Sequence, residues 1–449
     1  MSIYLLGRVF VLLLVLSVLV LQGCATTAEK TANMRKLMEI NRTDLALIEA
    51  EKHLAEHVEG VMENMNVGVL RRLNGDYRGS NEAFEIAKKK IDELYSTSVS
   101  EQASALMTND ESISFQGEKF EQVLIHLYMA SNYLSLHEVD AARVELLQSQ
   151  VKMDEWGEPK DETPFMRYFS GILFEILGEE DSATVSYRKA VDAYINTKAR
   201  HGLNVPLALK YDLLRMLSQM QLKSERADYE KQFNMTKYKA PNLKGKGELI
   251  VVFGNGMAPQ RNQKFFKTWS TELSANIKVA VPDYPNPPVV LNKVRLRVDG
   301  KRYPLEVVSN IDGLARSALA EDMPLITTRA IARAVLKKKS EEEAGKQNGY
   351  AQAILFILNK STEIADTRSW NTLPQEFEIA RVYLPAGEYD VVLEVVNASG
   401  HIIDTINRKV NIKVGEKSVI SKRWTSPEPK DLPVHPVGVK AVEQAATVQ

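Results

Sequence analysis

The chain has 449 residues, with 57 Lys and Arg set against 58 Asp and Glu. That balance excludes a general nucleic-acid binder, which carries a basic excess. Apolar residues make up 44% and there is a single cysteine, so real cores are possible, an internal disulfide is not, and the length suggests two or three domains.

Residues 1–23 read as a signal peptide: one positive charge at Arg8, an almost unbroken apolar run from Val9 to Leu21, then Leu21-Gln22-Gly23-Cys24. The run is short for a membrane-spanning helix and ordinary for a secretory segment. Small Gly23 directly before Cys24 makes a lipobox, in which the thiol takes up diacylglycerol as a thioether and becomes the first mature residue. Several buried acyl chains, palmitate among them, anchor firmly where one alone is marginal. An ordinary N-terminal anchor with an incidental Cys24 is the alternative, and the polar ATTAEKTAN that follows at once argues against it. Ala25, not aspartate, follows the cysteine. In Gram-negative sorting that points to the outer membrane, with the chain facing the periplasm. Residues 24–35 then read as a linker, and nothing beyond them is long and apolar enough to span a bilayer.

From 36 to 240 apolar residues recur at helical spacing, as in MRKLMEINRTDLALIEAEKHLAEHVEGVMENM. Within this region a degenerate tetratricopeptide-like pattern repeats. Gly171, Gly178, Ala183, Tyr187 and Ala190 form one copy, and Gly68, Gly75, Ser80, Phe84 and Ala87 a second. Ala130, His137, Ala142 and Leu146 form a weaker third. Small residues let helix backbones approach while an aromatic fills the groove between hairpins. The copies do not follow a strict period of about 34 residues, so an insertion at residues 96–119 is expected, and a hairpin at about 205–232 closes the array. A generic helical bundle is the alternative reading.

From 246 to 424 β-branched runs bounded by turns take over, which predicts an antiparallel β domain with a helical insertion at about 311–362. Val298-Asp299-Gly300-Lys301 is the strongest hairpin signal, and Pro385-Ala386-Gly387 marks another turn. The proline-rich residues 425–449 read as a disordered tail. The fold class is therefore α+β, with an N-terminal repeat domain followed by a β domain.

Candidate chemistry is sparse. His53-Leu54-Ala55-Glu56-His57 matches the inverted zinc-protease signature, which needs both histidines on one helical face and a glutamate as general base. No third ligand can be singled out, and a solvated helix face explains the same residues. Gly254-Asn255-Gly256 lacks the lysine of a phosphate loop and reads as a turn out of a strand. Asp366, Arg368 and Trp370, within IADTRSWNTLP, are candidate partner or domain-docking contacts. An Arg–Asp pair beside a buried Trp would lock the insertion onto the sheet, whereas exposed Trp and Arg would suit a recognition loop. Trp370 and Trp424 are the aromatics a glycan- or lipid-binding module would use. No cofactor or metal is implied.

The lipobox, GDYRGSNEAFEIA, EVDAARVELLQ, FGNGMAP, TRAIARAVLKKK and DTRSWNTLPQEFEIARVYLPAGEYDVVLEV together resemble a group of bacterial lipoproteins with tetratricopeptide-like repeats. The resemblance covers most of the mature chain and implies an envelope location. Members are often encoded near lipoproteins that assist peptidoglycan synthesis or secretion, and no catalytic residues are established for the group. The expectation is a non-enzymatic, lipid-anchored scaffold whose repeats offer a concave surface to an envelope protein, with a periplasmic metal-dependent hydrolase using His53, Glu56 and His57 as the alternative.

Overall fold

The computed structural model describes residues 26–94, 111, 113–236, 238–286, 289–347, 352–353, 355–356, 359 and 363–427. Cys24, the signal segment, most of the expected insertion and residues 428–449 lie outside the described residues.

Among the described residues, the helical region is a stack of five hairpins. In chain order these are α1 (Ala32–Glu39) with α2 (Thr43–Glu56), α3 (Val61–Leu73) with α4 (Tyr77–Leu94), and α5 (Lys119–Ser135) with α6 (Val139–Trp156). Then come α7 (Pro164–Ile176) with α8 (Glu180–Asn196), and α9 (Leu207–Gln219) with α10 (Lys223–Gln232). The small-and-aromatic pattern is the contact that closes these pairs. A Cβ on Gly68 would lie 2.6 Å from the Phe84 ring, and one on Gly171 would lie 2.3 Å from Tyr187. Ala130, Ala142 and Leu146 are all fully buried in the third copy. The packing is tetratricopeptide-like.

Two expectations change at the N-terminal end. The long helical run breaks at Asn41, whose φ of 57° turns the chain and adds the α1–α2 hairpin. Residues 24–35 are not a linker where described: Thr27–Lys30 is a capped helical turn leading into α1. The Ala28 N–H donates to Thr367 Oγ1 (3.1 Å) and its carbonyl accepts from Gln260 (2.9 Å), so backbone donors and acceptors are met by the β region.

Ten strands follow: β1 (Lys246–Asn255), β2 (Asn262–Ser270), β3 (Ala275–Asp283), β4 (Lys293–Val298), β5 (Lys301–Pro304), β6 (Glu306–Asn310), β7 (Glu376–Pro385), β8 (Gly387–Val396), β9 (Ile402–Ile412) and β10 (Lys417–Trp424). One sheet has the order β10-β1-β7-β6, a second β5-β4-β8-β9, and β2 and β3 form a separate ribbon. The β4–β5 turn has φ of 44° at Asp299 and 80° at Gly300, both left-handed, as a two-residue type I′ hairpin needs. The sheet is not wholly antiparallel: β10 pairs with β1 in parallel, from Glu248 opposite Lys417 to Asn255 opposite Trp424. The other eight strands lie between the two in the order of the chain, so no tight hairpin dictates their relative direction.

β1 is buried on both faces. Leu249, Val251 and Phe253 meet the β4–β8–β9 sheet, while Ile250 and Val252 join the core of the helical hairpins. Continuous apolarity in ELIVVF reflects that double burial. The result is three layers: helices, a mixed sheet, and an outer antiparallel sheet. α11 (Ile311–Gln347), within the expected helical insertion, is one 37-residue helix that continues through Pro324. Packing of its flanking turns on other elements tolerates the missing N–H. Thr425 of the expected tail donates to the Met38 carbonyl at 2.8 Å.

Candidate functional site

The face formed by the first helix of each hairpin is where a tetratricopeptide array would receive an extended partner. Here it is covered by the chain's own segment 364–385. The residues of this segment meet the hairpins in order. Thr372 and Trp370 reach α3, where Thr372 Oγ1 lies 3.2 Å from Asn66 Oδ1 and the indole Nε1 donates to the Met65 carbonyl at 3.1 Å. The Trp370 N–H donates to Glu121 of α5 at 2.9 Å. Its ring, 1% exposed, sits 5.9 Å from Phe84 and 5.6 Å from Tyr128. Phe377 then packs against Tyr128 and, 5.3 Å away, Phe165 of α7. Arg381 ends the series on α7 and α9.

Arg381 is the centre of a buried charge cluster. It donates to Glu248 on β1 (2.6 and 2.8 Å), Glu175 on α7 (2.6 Å), Asp212 on α9 (2.7 Å) and the Tyr187 hydroxyl (3.0 Å). Arg215 pairs with Glu175 and approaches Asp212 at 3.5 Å, and the Tyr168 hydroxyl donates to Asp212 at 2.6 Å. Burial works against the Arg381 charge, yet Asp212, Glu248 and Glu175 outweigh it and hold its pKa well above the ordinary value. Burial likewise opposes the Glu175 charge, but Arg381 and Arg215 keep that carboxyl below the usual range. For Asp212 burial prevails and raises its pKa. Two guanidiniums among three carboxylates, each hydrogen-bonded, tie the array to the sheet. The sequence holds one sign of it: Glu248 and Arg381 adjoin apolar runs in their strands, and a charge at such a position signals a buried partner.

Asp366, Arg368 and Trp370 are brought to one place. Arg368 donates twice to Asp366 (2.9 and 2.8 Å) and once to the Ile113 carbonyl (2.6 Å), and lies 5.5 Å over the Phe115 ring. Burial opposes the Asp366 charge, and Arg368 overcomes it to hold the pKa low. Burial also pushes the Glu121 carboxyl up to about 7, against the N–H groups of Glu118 and Trp370 that it accepts.

His53, Glu56 and His57 line a cleft of about 560 Å³ together with Lys30, Glu63 and Arg368. The zinc signature does not hold geometrically: α2 ends at Glu56, and His57 is the cap with φ −141° and ψ 66°, off the helical face that His53 occupies. Among the described residues, no three His, Cys, Asp or Glu side chains converge as a metal site requires. Gly254-Asn255-Gly256 closes β1. Gly256 has φ of 65°, and a Cβ there would meet Leu291 at 2.3 Å, while Asn255 donates to Glu378 at 2.7 Å. Trp424 is buried and donates to Asp404 at 2.8 Å. Cys24 lies outside the described residues.

No family model matches the chain, and no curated protein does. Among solved structures, the crystal structure of MamA is similar with a TM-score of 0.29 and 14% identity, over 45% of this chain and 96% of that one. A putative kinesin light chain with nearly identical tetratricopeptide-like repeats, from Podospora anserina, has a TM-score of 0.32 and 14% identity over 46% of this chain and 93% of its own. A thermophilic tetratricopeptide-repeat protein of Thermus thermophilus has a TM-score of 0.21 and 18% identity, over 42% of this chain and 97% of its own.

Proposed function

We propose that this chain is a non-enzymatic scaffold, tethered to the periplasmic face of the outer membrane by acyl chains on Cys24, that holds protein partners during envelope assembly. One observation carries the scaffold part: segment 364–385 fills the face that the first helices present, contacting α3, α5, α7 and α9 in turn. A rigid platform of helices and sheets results, rather than an open groove. The expectation of a partner in the concave surface is therefore revised. Partners would dock on the outer helices α4, α6 and α8, whose solvent side carries Ile86, Val144 and Val185. Support for the tether is the lipobox sequence and the polar stretch after it. Confinement near a membrane raises the effective concentration toward similarly confined partners.

Photo-crosslinking amino acids at Val144 and Val185, compared with one at Tyr128, test the scaffold reading in cells. Envelope proteins captured from the first two positions and not the third are expected. Capture from Tyr128 alone would mean that the groove opens to its partner, and this reading would fall. Mass spectrometry of the mature N-terminus tests the tether: a diacylglyceryl and acyl addition is expected, lost in Cys24→Ala.

A further inference from the structure

The β2–β3 ribbon stands apart from the two larger sheets, and its two faces differ. One face buries Ile277, Val279 and Val281 against Ala330 and Val335 of α11. On the other, Phe265 is 42% exposed and Trp269 is 59% exposed. The register places Lys267 directly opposite Lys278 between these aromatics. Like charges directly opposite on one face destabilise a strand pair. Among the described residues neither lysine is paired with a carboxylate, although neighbouring lysines are: Lys264 lies 3.6 Å from Asp283, and Lys339 pairs with Glu272. Lys278 instead sits 3.8 Å over the Phe265 ring. Beyond that cation–π contact, two exposed aromatics and two facing cations are not what a solvated strand pair requires. Together they have the composition that suits an interface with anionic headgroups outside and hydrocarbon beneath, where indole and phenyl rings enter the boundary and ammonium groups meet phosphate.

We propose that this ribbon face binds an anionic phospholipid surface through Trp269, Phe265, Lys267 and Lys278. The ribbon's base is tied to the rest of the chain near its first described residues. Gln263 accepts from the Ala365 N–H at 2.8 Å, and Gln260, just before β2, donates to the Ala28 carbonyl at 2.9 Å. A membrane that holds the N-terminal turn therefore also holds the root of the ribbon, and β2 carries the contact outward by about 25 Å. The inference stands on the ribbon's own chemistry and does not require the Cys24 tether.

The test uses the full chain reconstituted in vesicles containing brominated lipids, whose bromines quench nearby indoles. Trp370 and Trp424 are buried and Trp156 is half-buried, so the part of the quenching that is lost in Trp269→Phe reports the ribbon. Expected is quenching in vesicles rich in phosphatidylglycerol that falls about tenfold in Lys267→Glu/Lys278→Glu, each lysine contributing as a cation near a charged surface does. Equal quenching in wild type and Trp269→Phe, on chain shown to be vesicle-bound, would overturn the proposal. So would ribbon variants that lose a protein or glycan crosslink while wild-type Trp269 stays unquenched. Mature chain purified from its own cells that carries no acyl groups, yet still shows the Trp269 signal, would refute the tether and leave the ribbon contact standing.

Discussion

Trp370 joins sequence-distant parts of the molecule through one side chain, with its ring against Phe84 and Tyr128 and its indole N–H on the Met65 carbonyl. Trp370→Ala should lower unfolding free energy by about 3–5 kcal/mol, the usual range for removing a large buried aromatic. Chemical denaturation measures it, and a loss below about 1 kcal/mol would mean that the segment is not held by this ring. Arg381→Met leaves Glu175, Asp212 and Glu248 without their shared cation. Breaking a buried pair by removing one partner costs about 3–5 kcal/mol, and neutralising Glu248 in the same chain should recover part of that loss. Glu378 predicts a pH dependence. Burial raises its pKa from 4.5 to about 7, so the folded chain binds the proton more tightly than the unfolded one. Its contribution is fully present below pH 4.5 and is lost as pH rises through about 7. Glu378→Gln can still accept from Asn255, and should be more stable than wild type at pH 8 by roughly 2 kcal/mol. Glu121 titrates in the same range, so the variant's stability should still decline with pH, less steeply. Identical slopes from pH 4.5 to 8 in both proteins would refute the assignment.

At the scale of elements, the hairpins depend on small residues that seat an aromatic. Gly68→Ala pushes a methyl group into Phe84, whose ring has no free space behind it because Trp370 and Tyr128 stand there. Overpacking of this kind costs about 1–3 kcal/mol. Combining it with Phe84→Leu should show favourable coupling in a double-mutant cycle, since the smaller side chain makes room; strict additivity would argue against the contact. These repeats were legible because the steric requirement lies within one hairpin. The α1–α2 hairpin was not, since Asn41 carries no obvious break signal in an otherwise helical pattern. Its left-handed turn follows from Met34, Met38, Ala46 and Ala50 finding a shared core with Val67 and Leu70.

For the whole molecule, helices and sheet share a core: Tyr128, Phe165 and Leu213 belong to the same cluster as Ile250, Val308 and Phe377. Thermal unfolding should therefore show one cooperative transition for both regions, measured by calorimetry. Two separated transitions would show that array and sheet are independent units. A fragment ending at residue 240 would expose the first-helix face and should aggregate or bind a hydrophobic dye. Charge burial at Arg381 ties the array to the sheet, and so decides which surfaces remain for partners.

The amino-acid sequence alone determined the helical periodicity, the small-and-aromatic hairpin contacts and the Asp299-Gly300 turn. Each rests on sterics and backbone preference among residues close along the chain. It also marked residues 364–374 as unusual and favoured docking within the chain over recognition of a partner. Tertiary structure decided that the repeat face is filled from within, that β10 runs parallel to β1, and that His57 leaves the helix its motif needs. Those outcomes depend on partners far apart in sequence, such as Trp370 and Met65, 305 residues apart. No local pattern encodes such a pairing; it follows from which apolar faces and buried charges can satisfy one another once the layers meet.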